Sequence, residues 1–291
     1  MSSTAERLRI DGRSAPVRPT RPGPSLLGPL VTAVFALAVL IPLAGLLLAA
    51  LNPPGTVVSG LAWPAHPTLA SFGAAWSAAG FGALLRNSAV VVLGVVPLSL
   101  LCATLAGYAF AVMEFRGRTL LYGFLLLGLT LPYEAAVIPL SYDLRALGLT
   151  DSPLALILAM VGLFMPFGAF WMRQQFRALP AELVEAAALD GAGSWTVLCR
   201  VLLPCSRPAL TTLGLLYFLW GWNQFLLVLI LVPDPAQRTA PAGLGFFVGA
   251  YSIDVPLLAA ATLIVIAPVV LVFLCFQRHF ISGMLAGAVK G

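Results

Sequence analysis

Glu185-Ala186-Ala187-Ala188-Leu189-Asp190-Gly191, closed downstream by Val201-Leu202-Leu203-Pro204, is a charged, alanine-rich island in an otherwise oily chain. Continuous apolar runs flank it at 153–172 and 209–232. Each run is long enough to cross a bilayer, which takes about 20 apolar residues. The island therefore reads as a loop between two membrane spans, of a kind that presents itself to a soluble partner.

Composition supports the membrane reading. The chain has 291 residues, 60% apolar and only 9% charged, with a mean hydropathy of +0.99. A soluble domain carries roughly 45–50% apolar and about 25% charged residues. The four cysteines, Cys102, Cys199, Cys205 and Cys275, form no CxxC pair and read as small fillers kept reduced. Basic residues are not interleaved with aromatics on a soluble element, so nucleic acid is not an expected partner. Membrane lipid is.

Six apolar runs predict six transmembrane helices, at 26–51, 87–113, 120–140, 153–172, 209–232 and 256–277. Their continuity favours helices over the alternating pattern of a barrel. The first run follows Arg7, Arg9, Arg13, Arg18 and Arg21, but it exceeds the 7–15 residues of a signal core and reads as a retained anchor. With the N-terminus inside, thirteen basic residues face the cytoplasm and three (Arg86, Arg145, Arg238) face out. The positive-inside rule then sets both termini inside and the island in the cytoplasm. The expected organisation is a disordered basic segment at 1–25, a first span at 26–51, a core of five spans at 86–280 and a cytoplasmic tail at 281–291. The island loop lies at 179–204.

Local signals divide the island into two short helices. Pro180 suits a first helical turn, Glu182 and Glu185 lie at the positive end of the helix dipole, and Gly191 and Gly193 end the helix. Ser194 is expected to cap a second helix that Pro204 terminates. Leu183, Ala186 and Ala187 share one face at i, i+3, i+4. That narrow ridge suits a groove on another protein, and a docked helix transmits rigid displacement where a floppy loop does not.

The spacing E-A-A, three residues, G, nine residues, an aliphatic residue, one residue, L-P is met by Glu185, Ala186, Ala187, Gly191, Val201, Leu203 and Pro204. It resembles the signature of ATP-binding-cassette importer permeases, with Val201 where Ile is usual. Leu179-Pro180-Ala181-Glu182, Trp222-Asn223-Gln224-Phe225 and the tail from Phe276 to Gly291 are similar to the carbohydrate-uptake branch, and within it to the six-span subunit of maltose-type systems. The likeness runs from about Arg86 to the C-terminus. It implies an all-α polytopic type I importer permease. It also implies that Glu182, Glu185, Ala186, Ala187, Asp190, Gly191, Leu203 and Pro204 couple to an ATPase subunit, and that Lys290 and Gly291 reach between two such subunits. The branch commonly has Trp-Asn-Asp where this chain has Trp222-Asn223-Gln224, so one negative charge is absent, which weakens any carry-over of substrate specificity.

What the chain lacks fits this role. Its one lysine, Lys290, precedes the final glycine, so no phosphate-binding loop of the Gly-Lys-Ser/Thr type exists here. ATP and Mg are expected in partner ATPase subunits, and no cofactor in this chain. The longest outer loop, from about 52 to 86, is too short for a domain. An extracytoplasmic solute-binding protein is therefore expected, with a second permease subunit to complete the pathway. No nucleophile–base pair or metal cluster points to an enzyme.

Polar groups within the spans are the candidate solute pathway. Asn223 and Gln224 lie deep in the fifth run near Tyr217, Trp220 and Trp222. Two readings stand: interhelical hydrogen bonding, or a sugar site in which amides bind hydroxyls and aromatic faces pack on a ring. Glu134, beside Tyr133 in the third run, reads as a gate, a pore lining or a hydrogen-bond anchor. Proton coupling, which an ion-driven secondary carrier would need, lacks a second acid or histidine in any span. An ATP-driven importer of a sugar-like solute is the expected function, and the ion-driven carrier is its alternative.

Overall fold

The structure, a computed structural model, describes residues 27–249 and 253–288, with side chains as far as residue 277. The basic N-terminal segment and the tail residues Lys290 and Gly291 lie outside the described residues. The chain divides into two units, Met1–Ala44 and Gly45–Gly291. The described part of the first belongs to helix α1, Leu27–Ala50. Every side chain from 28 to 44 is exposed. A helix that is apolar all round belongs in lipid or against another apolar surface.

The second unit is built around two long helices, α3 (Phe81–Ala111) and α6 (Pro153–Ala178); α2 (Ala70–Ala79) precedes α3, and α4 (Arg118–Leu127) and α5 (Tyr133–Ala146) lie between the two in the chain. Lipid tails are as apolar as leucine, so helices in a bilayer associate by close packing, and small residues permit it. Gly107 lies against Met172 and Gly94 against Ile157, with no room for a Cβ at either glycine. Farther along, α10 (Arg207–Trp222) packs on α3 and α13 (Val255–Ala288) on α10. Indole N–H groups tie these layers: Trp171 Nε1 donates to the Ala209 carbonyl at 3.2 Å, and Trp222 Nε1 to the Val265 carbonyl at 3.1 Å. Such bonds contribute only about 0.6 kcal/mol each in a membrane, so close packing carries most of the association.

Among the described residues four helices are long and apolar enough to cross a bilayer unbroken: Gly28–Ala50, Phe81–Ala111, Pro153–Ala178 and Val255–Gln277. The third and fifth expected runs are each in two pieces. In the third, α4 stops at Leu127, and the chain turns through Gly128–Pro132 before α5 begins at Tyr133. Pro132 has no N–H and pushes Leu131 out of helical geometry. In the fifth, α10 stops at Trp222 and α11 (Leu226–Leu231) follows the gap. There the Asn223 side chain takes the Leu219 carbonyl at 2.8 Å, competing with the helix ladder.

Polar side chains hold the segment that follows the fifth run. Asn87, buried on α3, donates from Nδ2 to the carbonyls of Ala236 at 3.0 Å and Arg238 at 3.1 Å. Its neighbour Ser88 accepts the Ala240 N–H at 2.8 Å. On the same segment Asp151 accepts the Asp234 N–H at 3.0 Å. Elsewhere Asp254 accepts the N–H groups of Leu257 at the start of α13 and of Gly55 in the long loop, at 3.1 and 2.8 Å. The only β-pairing among the described residues is an isolated bridge, Val248 to Ile253.

Candidate functional site

The island folds as helix α7, Glu182–Leu189. Its end follows from Gly191, whose φ of 79° is left-handed. The Ala192 N–H returns to the Ala187 carbonyl at 2.9 Å and the Gly191 N–H to Ala188 at 3.0 Å, the paired closure of a Schellman motif. Val184, Ala187 and Ala192 pack against the core of the unit, anchoring one side of α7.

The outward side differs from the expected ridge. Ala187 turns inward, so the exposed apolar line is Leu183, Ala186 and Leu189, with Leu189 90% exposed. Glu182, Glu185 and Asp190 are exposed beside it, as is Trp195 just beyond. Three-residue steps keep the outward line on one face. Leu203, expected among the coupling residues, packs under the loop against the core, while Pro204 is exposed.

Beyond α7 the second island helix runs Ser194–Cys205 and meets α10 at 80°. Ser194 does not cap it: the cap position is Gly193, with no side-chain hydrogen bond. Residues Val197–Leu202 are wound as a π segment, in which the Leu203 N–H reaches the Leu198 carbonyl. Pro204 lies inside the helix, and the direction changes at Ser206. Neither Pro204 nor Pro208 has an N–H to extend an α-ladder through this corner.

A cavity of about 590 Å³ lies among α6 and the two broken runs. Tyr133, Trp220, Asn223 and Gln224 all line it, with Gly128, Phe164 and Pro166. Gly128, in the first break, stands against the Pro166 ring so closely that a Cβ has no room. One hydrogen bond joins the breaks: the Tyr133 hydroxyl donates to Gln224 Oε1 at 2.6 Å. Trp220 is set by edge contacts from Phe164 and Phe167, with ring centroids 5.6 and 4.9 Å away. Among the described residues no charged side chain lines the cavity.

Three expected pathway residues do not line it. Tyr217 is fully buried, stacked on Phe164 at 5.5 Å and 6.1 Å from the Trp220 ring, so it supports that ring from below. Trp222, two residues past Trp220, lies on the opposite side of the helix and binds α13. Glu134 is exposed one residue after Tyr133. Successive helical residues turn by about 100°, so only one of the pair faces the cavity; Glu134 instead complements the dipole at the start of α5. Phe164, Pro166 and Phe167 were not expected at the site. A proline between two aromatics inside a span was the available signal.

Comparison with known proteins places these features. A family profile described as binding-protein-dependent transport system inner membrane component matches residues 96–285. The diacetylchitobiose uptake system permease protein of Streptomyces coelicolor is 33% identical over 260 residues, 88% of this chain and 86% of that protein. The arabinooligosaccharides transport system permease protein of Halalkalibacterium halodurans is 32% identical over 94% of this chain and 99% of its own. The crystal structure of a bacterial ABC transporter that imports the acidic polysaccharide alginate contains a chain with the same fold. It aligns with a TM-score of 0.77 at 21% identity, covering 88% of this chain and 95% of that one.

Proposed function

The chain belongs to the binding-protein-dependent transport system inner membrane component family, and from that membership we propose that it carries a neutral sugar or sugar-like solute inward by alternating access. It is a multi-pass permease subunit of the cytoplasmic membrane with the type I importer fold, and it works with ATPase subunits and a solute-binding protein. ATP and Mg belong to two partner ATPases. A second, different permease subunit completes the pathway, and α1, apolar on every face, is suited to pack on it.

One observation carries the sugar reading: the cavity between the broken runs combines an aromatic platform with amide groups, and among the described residues no charged side chain lines it. Buried charges need partners, so a neutral polyhydroxylated solute is the best match. The permeases from Streptomyces and Halalkalibacterium bear the names of sugar-uptake systems, which agrees with it. Closure of the ATPases displaces α7, and the displacement passes through the 80° corner at Ser206 to α10, which bears Trp220.

Vesicles containing the full complex test the reading. Uptake of a radiolabelled neutral oligosaccharide is expected to require ATP and the solute-binding protein, and to be indifferent to an uncoupler. Uptake abolished by the uncoupler with ATP still supplied would return the chain to the ion-driven class.

A further inference from the structure

We propose that Trp220, Asn223 and Gln224 are the solute-reading element of this subunit, and that Tyr133 is the residue that positions it. This rests on the sugar-import reading and deepens it. The argument starts from which polar atoms are already occupied. Asn223 Nδ2 donates to the Leu219 carbonyl at 2.8 Å, which leaves Oδ1 as an acceptor. Gln224 Oε1 accepts from Tyr133 at 2.6 Å, which leaves Nε2 with its donors. Two neighbouring residues thus offer an acceptor oxygen and a donor nitrogen to the same cavity.

A hydroxyl group matches such a pair, because it donates and accepts at once. A carboxylate only accepts and an ammonium only donates, so each leaves one amide atom unmatched once the solute displaces its water. Beside the pair lies the Trp220 indole, 36% exposed. The edges of Phe164 and Phe167 pack on it and fix its plane. A fixed indole face buries the apolar C–H face of a ring without further loss of side-chain freedom. The solute class that satisfies all three groups is a ring bearing hydroxyls, and the uncharged lining of the cavity favours a neutral one. The hydrogen bond from Tyr133 sets which way round the Gln224 amide sits, and so sets the order of donor and acceptor.

Saturation-transfer NMR on the purified, assembled complex tests this directly, with irradiation at tryptophan ring protons. Diacetylchitobiose, trehalose and arabinotriose serve as neutral probes, and a hexuronate disaccharide as the charged one. At least one neutral probe is expected to receive saturation, and the hexuronate less. Trp220→Ala is expected to lower the signal about tenfold, while Trp220→Phe, which keeps a ring face, restores most of it. Tyr133→Phe is expected to narrow the preference for neutral over charged probe by about three- to tenfold, since the freed amide can turn. A purely structural role for Tyr133 would not move that ratio. Wild-type signal in Trp220→Ala, or equal signal for the hexuronate in the wild type, overturns the proposal. ATP-driven uptake of the same probes in vesicles separates the two levels: uptake without transfer to any neutral probe sinks the proposal alone, and absence of neutral uptake sinks the import reading.

Discussion

Tyr217 stands on Gly168. The tyrosine hydroxyl occupies the space where a side chain at 168 would begin, with Ala103 closing the other side, and it donates to the Phe164 carbonyl at 3.3 Å. Helices α3, α6 and α10 therefore meet at one point directly beneath Trp220. Gly168→Ala forces a methyl into that point, and overpacking of this kind costs about 1–3 kcal/mol. The expected result is a lowered melting temperature of the detergent-extracted complex, partly restored by adding Tyr217→Phe, which removes the hydroxyl. Unchanged melting in Gly168→Ala would mean that the helices part easily here.

The outward face of α7 makes a sharper claim about partners. Leu189 is 90% exposed in this chain, so Leu189→Asp changes the chain's own stability by no more than about 0.5 kcal/mol. Docked in a partner's groove, the same leucine would be desolvated, and losing a central contact of that type costs about 2 kcal/mol or more. Glu185→Arg adds a positive charge in the first turn, where the helix dipole disfavours it. Both variants are expected to insert normally in the membrane, to lose the co-purifying ATPase subunits and to stop uptake. Full uptake in either would remove α7 from the coupling path.

Gly191 separates backbone geometry from contact. Its left-handed φ of 79° closes α7, and nothing lies within 4 Å of where its Cβ would be. Gly191→Ala therefore carries only the conformational cost, about 1–2 kcal/mol, and Asn, which tolerates this region, costs less. Uptake by reconstituted complexes is expected to fall in the order Gly, Asn, Ala with the ATPases still attached. Equal rates for all three would show that the end of α7 bears no load.

The contrast between the two sites explains what was legible in the sequence. The island could be read in outline, because acidic residues, alanines and Gly191 each state a local preference for a helix start, interior and end. Which face it buries was not legible: Ala187 and Ala186 are the same residue type, and packing under the loop against the core selects Ala187. The apolar runs were legible as membrane segments, but the breaks at Gly128–Pro132 and after Trp222 depend on one proline and one side-chain hydrogen bond set against strong hydrophobicity. The cavity arises from both breaks together, through Tyr133 and Gln224, which are far apart in the chain. No local pattern encodes that meeting.

Asn87 provides a test of how the segment after the fifth run is held. Its amide donates to both Ala236 and Arg238, and it is only 7% exposed. Asn87→Ala leaves two carbonyls without their donor, a loss of about 1–3 kcal/mol where water is scarce. The adjacent Ser88 holds the Ala240 N–H, so that amide reports on the clamp without being part of the mutation. Hydrogen exchange at Ala240 is expected to be slow in the wild type and at least about tenfold faster in Asn87→Ala. Exchange in α6 should not change, because its packing on α3 lies elsewhere. If Ala240 stays protected, the segment is held by burial alone, and the paired donors of Asn87 are incidental to it.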